Sequence, residues 1–314
     1  MTSGSPFGET SGTAGTTSGT VSGTSTLVDV AWLRDRLGDV TVLDATVDRR
    51  TGPDGGKVFV SGLGLHTERR VPGAHFADLM AGFSEPAAPF PFTCPPPSHI
   101  AAHARELGIR EDSTVVVYDR LTGAWAARLW WVLRTAGITG VRVLNGGLTA
   151  WEAAGLPVTD GREPAPAAGN VVARPAADGF VDLERVKRIA DGSDPTPAVC
   201  ALRRPEYLGT PGNPRSGHIP RTTSLPYADL LGADNTLSPE RTARLAGARG
   251  IRAGDGTVLY CGGAINAAGL ALALHETGVD DVLLYDGSLA EWRADPALPL
   301  VVGPEADAGA AGRD

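Results

Sequence analysis

Cys261 closes the run Thr257-Val258-Leu259-Tyr260-Cys261, and behind it come Gly262, Gly263, Ala264 and a stretch of small and aliphatic residues from Ile265 to Leu274. The run before the thiol is short and rich in β-branched and aromatic side chains, the composition of a buried strand. The stretch after it holds good helix formers and no proline. This pattern predicts a strand that delivers a cysteine into a glycine-rich loop beneath the first turn of a helix. Unpaired N–H groups and the positive end of the helix dipole gather there, and both favour an anion. A thiol held in such a place is a nucleophile in its thiolate form. The same residue, read without its surroundings, is a small buried hydrophobe, the ordinary state of a free cysteine.

The elements that must position this residue come from a chain of 314 residues, long enough for about two domains and a sizeable core. A hydrophobic fraction of 42% and a charged fraction of 20% describe a globular protein. The net charge of -8, with no basic stripe, excludes a general nucleic-acid binder. Cys94, Cys200 and Cys261 are sparse and unpaired in spacing. That argues against a disulfide framework or a cysteine zinc site, and it fits a reducing cytoplasm. No apolar stretch approaches the ~20 residues that span a bilayer, so no membrane partner is expected. Residues 1–26 are mostly Ser, Thr and Gly, lack the hydrophobic region of a signal peptide, and are expected to form a disordered tail, as are residues 304–314.

An internal repeat organises the rest. Leu107-Gly108-Ile109 through Val115-Val116-Val117-Tyr118-Asp119 aligns with Arg249-Gly250-Ile251 through Thr257-Val258-Leu259-Tyr260-Cys261. Val143-Leu144-Asn145-Gly146-Gly147-Leu148 through Trp151 aligns with Leu284-Tyr285-Asp286-Gly287-Ser288-Leu289 through Trp292, once a gap of one residue is allowed. Upstream, Arg69 to Ala74 matches Gly217 to Thr222, and Val42 to Ala45 matches Ala198 to Ala201. The chain therefore reads as a tandem duplication, with units over 27–158 and 178–303 and a Pro-, Ala- and Gly-rich linker over 159–177. Each unit alternates short apolar strands (Thr41 to Leu43, Thr114 to Tyr118, Val141 to Leu144) with helical patterns (Val30 to Leu37, His99 to Leu107, Ala126 to Ala136). Such alternation implies parallel strands joined by right-handed crossovers. Ser98 and Ser238 are placed to cap helices, with Pro239 at a first helical position. The position aligned with Cys261 is Asp119, which cannot do thiol chemistry. Any nucleophile belongs to the second unit, and the first is scaffold and one wall of the cleft.

Over nearly all of residues 27–302 the chain resembles the tandem-domain rhodanese sulfurtransferases, the thiosulfate and 3-mercaptopyruvate group. The resemblance is carried by Val117-Tyr118-Asp119-Arg120 with Ala126-Ala127-Arg128-Leu129-Trp130-Trp131, by Ser216-Gly217-His218-Ile219-Pro220, by Tyr260-Cys261-Gly262-Gly263, and by Tyr285-Asp286-Gly287-Ser288 with Glu291-Trp292. It implies an α/β fold of two tandem rhodanese-like domains, each a small doubly wound parallel sheet flanked by helices, with the active cysteine in the C-terminal one. It further implies that Cys261 takes a sulfane sulfur from a small-molecule donor, becomes a persulfide, and passes the outer sulfur to cyanide, a thiol or a protein thiol. The backbone N–H groups of Gly262, Gly263, Ala264, Ile265, Asn266 and Ala267 would ring that sulfur, with Gly262 and Gly263 allowing the tight turn. No metal or organic cofactor is required.

The chain departs from the family in several places. Thiosulfate-preferring members carry basic residues in the loop and mercaptopyruvate-preferring members a serine two after the cysteine, where Gly262 and Gly263 offer neither. Cys200-Ala201-Leu202 stands where an Asp-Ala-Arg element is usual, Glu206 replaces a substrate-binding arginine, and Arg70 replaces a histidine. Arg215 is the candidate for the anionic half of a donor, or else a solvated surface arginine. His218 reads as a buried packing residue, Cys200 as inert core or a redox partner of Cys261, Cys94 as loop filler, and Trp130, Trp131, Trp151 and Trp292 as core. The amide of Asn266 can orient a donor or cap the loop. Two other functions compete: a non-catalytic rhodanese-like binding module, and a cysteine phosphatase, which needs an arginine where the chain has Ala267.

Overall fold

A computed structural model describes residues 25–53, 55–175 and 179–304. Of the two expected tails, residues 1–24 and 305–314 lie outside the described residues. Ser25 and Thr26, expected in the first tail, are instead fastened to Glu276, whose carboxylate accepts from Ser25 Oγ at 2.6 Å and Thr26 N at 2.8 Å.

The strands are β1 (Leu27–Val28), β2 (Thr41–Asp44), β3 (Val47–Thr51), β4 (Lys57–Ser61), β5 (His75–Phe76), β6 (Val115–Tyr118) and β7 (Val141–Leu144) in the first unit. The second unit holds β8 (Phe180–Val181), β9 (Ala198–Cys200), β10 (Thr223–Ser224), β11 (Val258–Tyr260) and β12 (Leu283–Tyr285). One five-stranded sheet runs β1-β7-β6-β2-β5, and the other, read from its matching edge, β8-β12-β11-β9-β10. Every pairing in both is parallel. The identical order is the duplication made visible, and its details repeat. Tyr118 Oη accepts from Val71 N and Tyr260 Oη from Ile219 N, both at 3.2 Å. Trp151 and Trp292 each donate their indole N–H to a proline carbonyl at 2.8 Å. The antiparallel hairpin β3–β4 belongs to the first unit alone.

Strand alternation sorts the side chains into three clusters. Val116 and Tyr118 join Leu144 and Trp151 on one face of the first sheet, and Val258, Tyr260 and Cys200 join Trp292 on one face of the second. Val115, Val117, Leu259 and Cys261 point the other way, into a core that both units share. The helices Ala124–Thr135 and Ile265–His275 run through that shared core. Each is apolar nearly all round, as a helix enclosed by two domains must be. Two reciprocal contacts complete the interface. Asn145 exchanges hydrogen bonds with the backbone of Leu237, and at the equivalent turn Asp286 accepts from Cys94 N at 2.7 Å.

The described residues of the segment between the units form no helix or strand but are strapped to the first unit. Arg70 and Thr159 pair backbone to backbone, the buried Arg70 guanidinium donates to Gly161 O and Glu163, and Gly169 N donates to Arg105 O. Ser238 caps its helix by accepting from Arg241 N, whereas Ser98 does not cap. Pro97 takes the first helical position there and Pro96 the cap, so Ser98 falls inside the helix.

Candidate active site

Cys261 follows β11 directly and is 3% exposed. The chain then passes through Gly262 and Gly263, turns at Ala264, and enters the helix Ile265–His275. Ala264, with φ of 60°, makes the left-handed turn, so the conformational demand falls one residue later than the glycines expected to meet it. A Cβ built on Gly262 or Gly263 meets nothing within 4 Å, so open space lies beside both glycines.

The loop is held from behind by the segment after β12. Ser288 Oγ accepts from Cys261 N at 3.2 Å and Ala264 N at 3.1 Å while donating to Tyr285 O at 2.8 Å. Leu289 N donates to Cys261 O and Ala290 N to Gly262 O. These bonds tie down two carbonyls and two N–H groups. The N–H of Ala264, expected in the ring around sulfur, is therefore spent on Ser288. Those of Gly262, Gly263, Ile265, Asn266 and Ala267 have no protein acceptor among the described residues. Five N–H groups of the loop and first turn are thus left unpaired at the positive end of a buried helix, an arrangement that favours an anion there.

The first unit shows the same loop occupied. Asp119 is buried, and its Oδ1 accepts from Leu121 N at 2.8 Å and Gly123 N at 3.0 Å. Its Oδ2 accepts from Trp125 N at 3.0 Å and Ala126 N at 3.1 Å. Burial pushes this carboxyl up from its ordinary range, and the four N–H donors oppose that push. Tyr227 of the second unit closes the loop from above, donating to Thr122 O at 2.6 Å. Asp119 therefore does more than line a wall: it fills the copy of the cradle that belongs to it.

Arg215 is not free to meet a ligand with its whole guanidinium. Its amines donate to the carbonyls of Leu298, Arg293 and Asp295, where they close the end of the helix Ser288–Ala294. Asn266 is half-buried in the first turn beside Ile265, and its side-chain amide makes no hydrogen bond to the loop among the described residues. Cys200 sits opposite Tyr260 and faces the private core of the second unit, while Cys261 faces the shared one. The sheet thus turns the two sulfurs apart, and burial pushes the Cys200 thiol up to about 12. Cys94 is half-buried with its thiol pushed up by burial to about 11, and its backbone N–H binds Asp286. His218 is buried, stacked on Tyr207 with ring centroids 3.7 Å apart, and its Nδ1 bonds Tyr207 O. All four tryptophans named above are core. At the surface, Lys57 of β4 reaches across to Glu206, 3.3 Å away. Ser288 belongs to a motif read in the sequence, but no role was assigned to it there. The signal was its alignment with Gly147, since both sit at positive φ, 49° and 57°, and a serine kept there needs a reason.

The model of the rhodanese-like domain matches residues 29–154 and again 202–295. The chain belongs to the rhodanese-like family. A Pseudomonas aeruginosa protein named "Probable 3-mercaptopyruvate sulfurtransferase" is 37% identical over 254 residues, 77% of this chain and 87% of the relative. The thiosulfate sulfurtransferase of Cricetulus griseus is 32% identical over 238 residues, 72% of this chain and 78% of the relative. The crystal structure of the Escherichia coli 3-mercaptopyruvate sulfotransferase SseA superposes with a TM-score of 0.73 at 26% identity, covering 84% of this chain and 99% of that one. The two-domain α/β architecture is that of the rhodanese fold.

Proposed function

We propose that this rhodanese-family sulfurtransferase works through Cys261, with thiosulfate or 3-mercaptopyruvate as donor. The observation that carries the reading is the pair of cradles: one copy closes four N–H groups on a built-in carboxylate, and the other leaves five unpaired in the loop that follows a thiol. The Cys261 thiolate attacks the outer sulfur of the donor. With thiosulfate the S–S bond breaks and sulfite leaves. With 3-mercaptopyruvate the C–S bond breaks and its electrons pass to the enolate of pyruvate, which takes a proton. The enzyme keeps the sulfur as a persulfide, whose terminal anion the N–H groups of Gly262, Gly263, Ile265, Asn266 and Ala267 stabilise. Attack by cyanide, a small thiol or a protein thiol on the outer sulfur then releases the thiolate, a two-step covalent cycle. A reducing cytoplasm would keep the Cys261 thiol free for it, and no helix among the described residues is long and apolar enough to cross a membrane.

The open space beside Gly262 and Gly263 supports a neutral entrance that selects donors by shape more than by charge. Incubation with thiosulfate or 3-mercaptopyruvate is expected to add one sulfur atom to the chain, removable by cyanide and read by intact mass. Cys261→Ser abolishes the adduct and Cys94→Ser retains it. No adduct with either donor, while Cys261 still alkylates, would replace this reading with that of a binding module.

A further inference from the structure

Ser288, Leu289 and Ala290 hold the backbone of the Cys261 loop, and the turn just before them is anchored in the other domain. Asp286 Oδ1 accepts from Arg128 Nη2 at 2.6 Å, and Oδ2 accepts from Cys94 N at 2.7 Å. Arg128 is 1% exposed, donates as well to Phe92 O at 2.6 Å, and lies 5.3 Å from the ring of Phe180. Its Nη1 is buried without an acceptor among the described residues. Two residues after Asp286, Ser288 takes the N–H groups of Cys261 and Ala264, and the next two residues take the carbonyls of Cys261 and Gly262.

The duplicated turn lacks this charge. Asn145 stands for Asp286, and its side chain bonds the Leu237 backbone; Gly147 stands for Ser288, and Gly269 stands where the helix of the second unit matches Arg128. A buried arginine with an unsatisfied amine is costly to keep. The chain keeps it on the side of the interface that leads to the thiol and dispenses with it on the side that leads to Asp119.

We propose that Arg128 and Asp286 are positioning residues for sulfur transfer. Acting through Ser288, they let the first domain hold the Cys261 loop in the shape that keeps its unpartnered N–H groups turned toward the sulfur. The proposal rests on Cys261 being the reacting thiol. In the full chain, Asp286→Asn keeps a side chain that the equivalent turn already accepts at Asn145. Because it leaves Arg128 buried and unpaired, Arg128→Leu/Asp286→Asn is measured beside it. Both variants are expected to form the Cys261 persulfide about 10- to 100-fold more slowly in a single turnover, the scale on which small misplacements of reacting groups act. The KM for the donor stays within about twofold, the signature of an interaction made in the transition state. Alkylation of Cys261 by iodoacetamide slows as well, with near-UV circular dichroism retained. Persulfide formation and alkylation at wild-type rates in the double variant would overturn the proposal, as would a rise in KM that accounts for the whole loss. Alkylation needs no sulfur donor, so a wild-type chain that forms no persulfide refutes the functional reading while the alkylation rates still decide this one.

Discussion

The four N–H groups bound to Asp119 are the measure of what this loop is shaped to hold, because they converge on a carboxylate that no solvent reaches. Removing the carboxylate leaves them buried without an acceptor, at about 1–3 kcal/mol for each such group. Asp119→Ala is therefore expected to lower the unfolding free energy by at least about 3 kcal/mol in urea denaturation, while Cys261 still reacts with an alkylating agent. At this scale the sequence was informative about identity and less so about conformation. The thiol stood out because its strand, its glycines and its helix are contiguous. That Ala264 makes the left-handed turn, and that Ser288 removes its N–H from the ring, depends on backbone angles that residue types do not encode. Arg215 illustrates the converse. Its type suited an anion, but carbonyls at a helix end offer an arginine equally good partners.

Among the elements, the long central strands were legible and the two-residue edge strands β1, β5, β8 and β10 were not, since two residues carry no periodicity. The hairpin β3–β4 also went unread, although Gly52-Pro53-Asp54-Gly55-Gly56 between two β-rich stretches is a strong turn signal. It is the element that breaks the symmetry of the duplication. Phe59 on its second strand packs edge-on against Phe92 and Trp125, with centroids 5.7 Å and 5.5 Å away. Lys57, two residues earlier, makes the exposed pair with Glu206. Burial outweighs an exposed ion pair here. Phe59→Ala should cost roughly 2–4 kcal/mol and Lys57→Ala under about 1 kcal/mol, compared by urea midpoints at equal slope.

For the whole molecule, the shared core means that the two domains stand or fall together. Residues 27–158 alone would expose the apolar helix Ala124–Thr135 and lose Tyr227 from above their cradle. That fragment is expected to give a broad, weakly cooperative unfolding profile by circular dichroism, where the full chain gives one steep transition. Acid acts on the same whole. Burial lowers the pKa of His218 and of His75, so the unfolded chain takes up protons that the native one refuses. Stability is full above the unfolded value of about 6.5 and falls as the pH drops below it. Urea midpoints at pH 5 and 7.5 measure the difference, and His218→Gln should reduce it. The fastening of Thr26 to Glu276 spans 250 residues of sequence. At the usual pace of translation, about 5–20 residues per second, a ribosome needs roughly 12–50 s between the two. The first domain therefore emerges from the ribosome without the Glu276 fastening of its first residues, with its helix uncovered and its anion cradle unroofed, until the second half arrives.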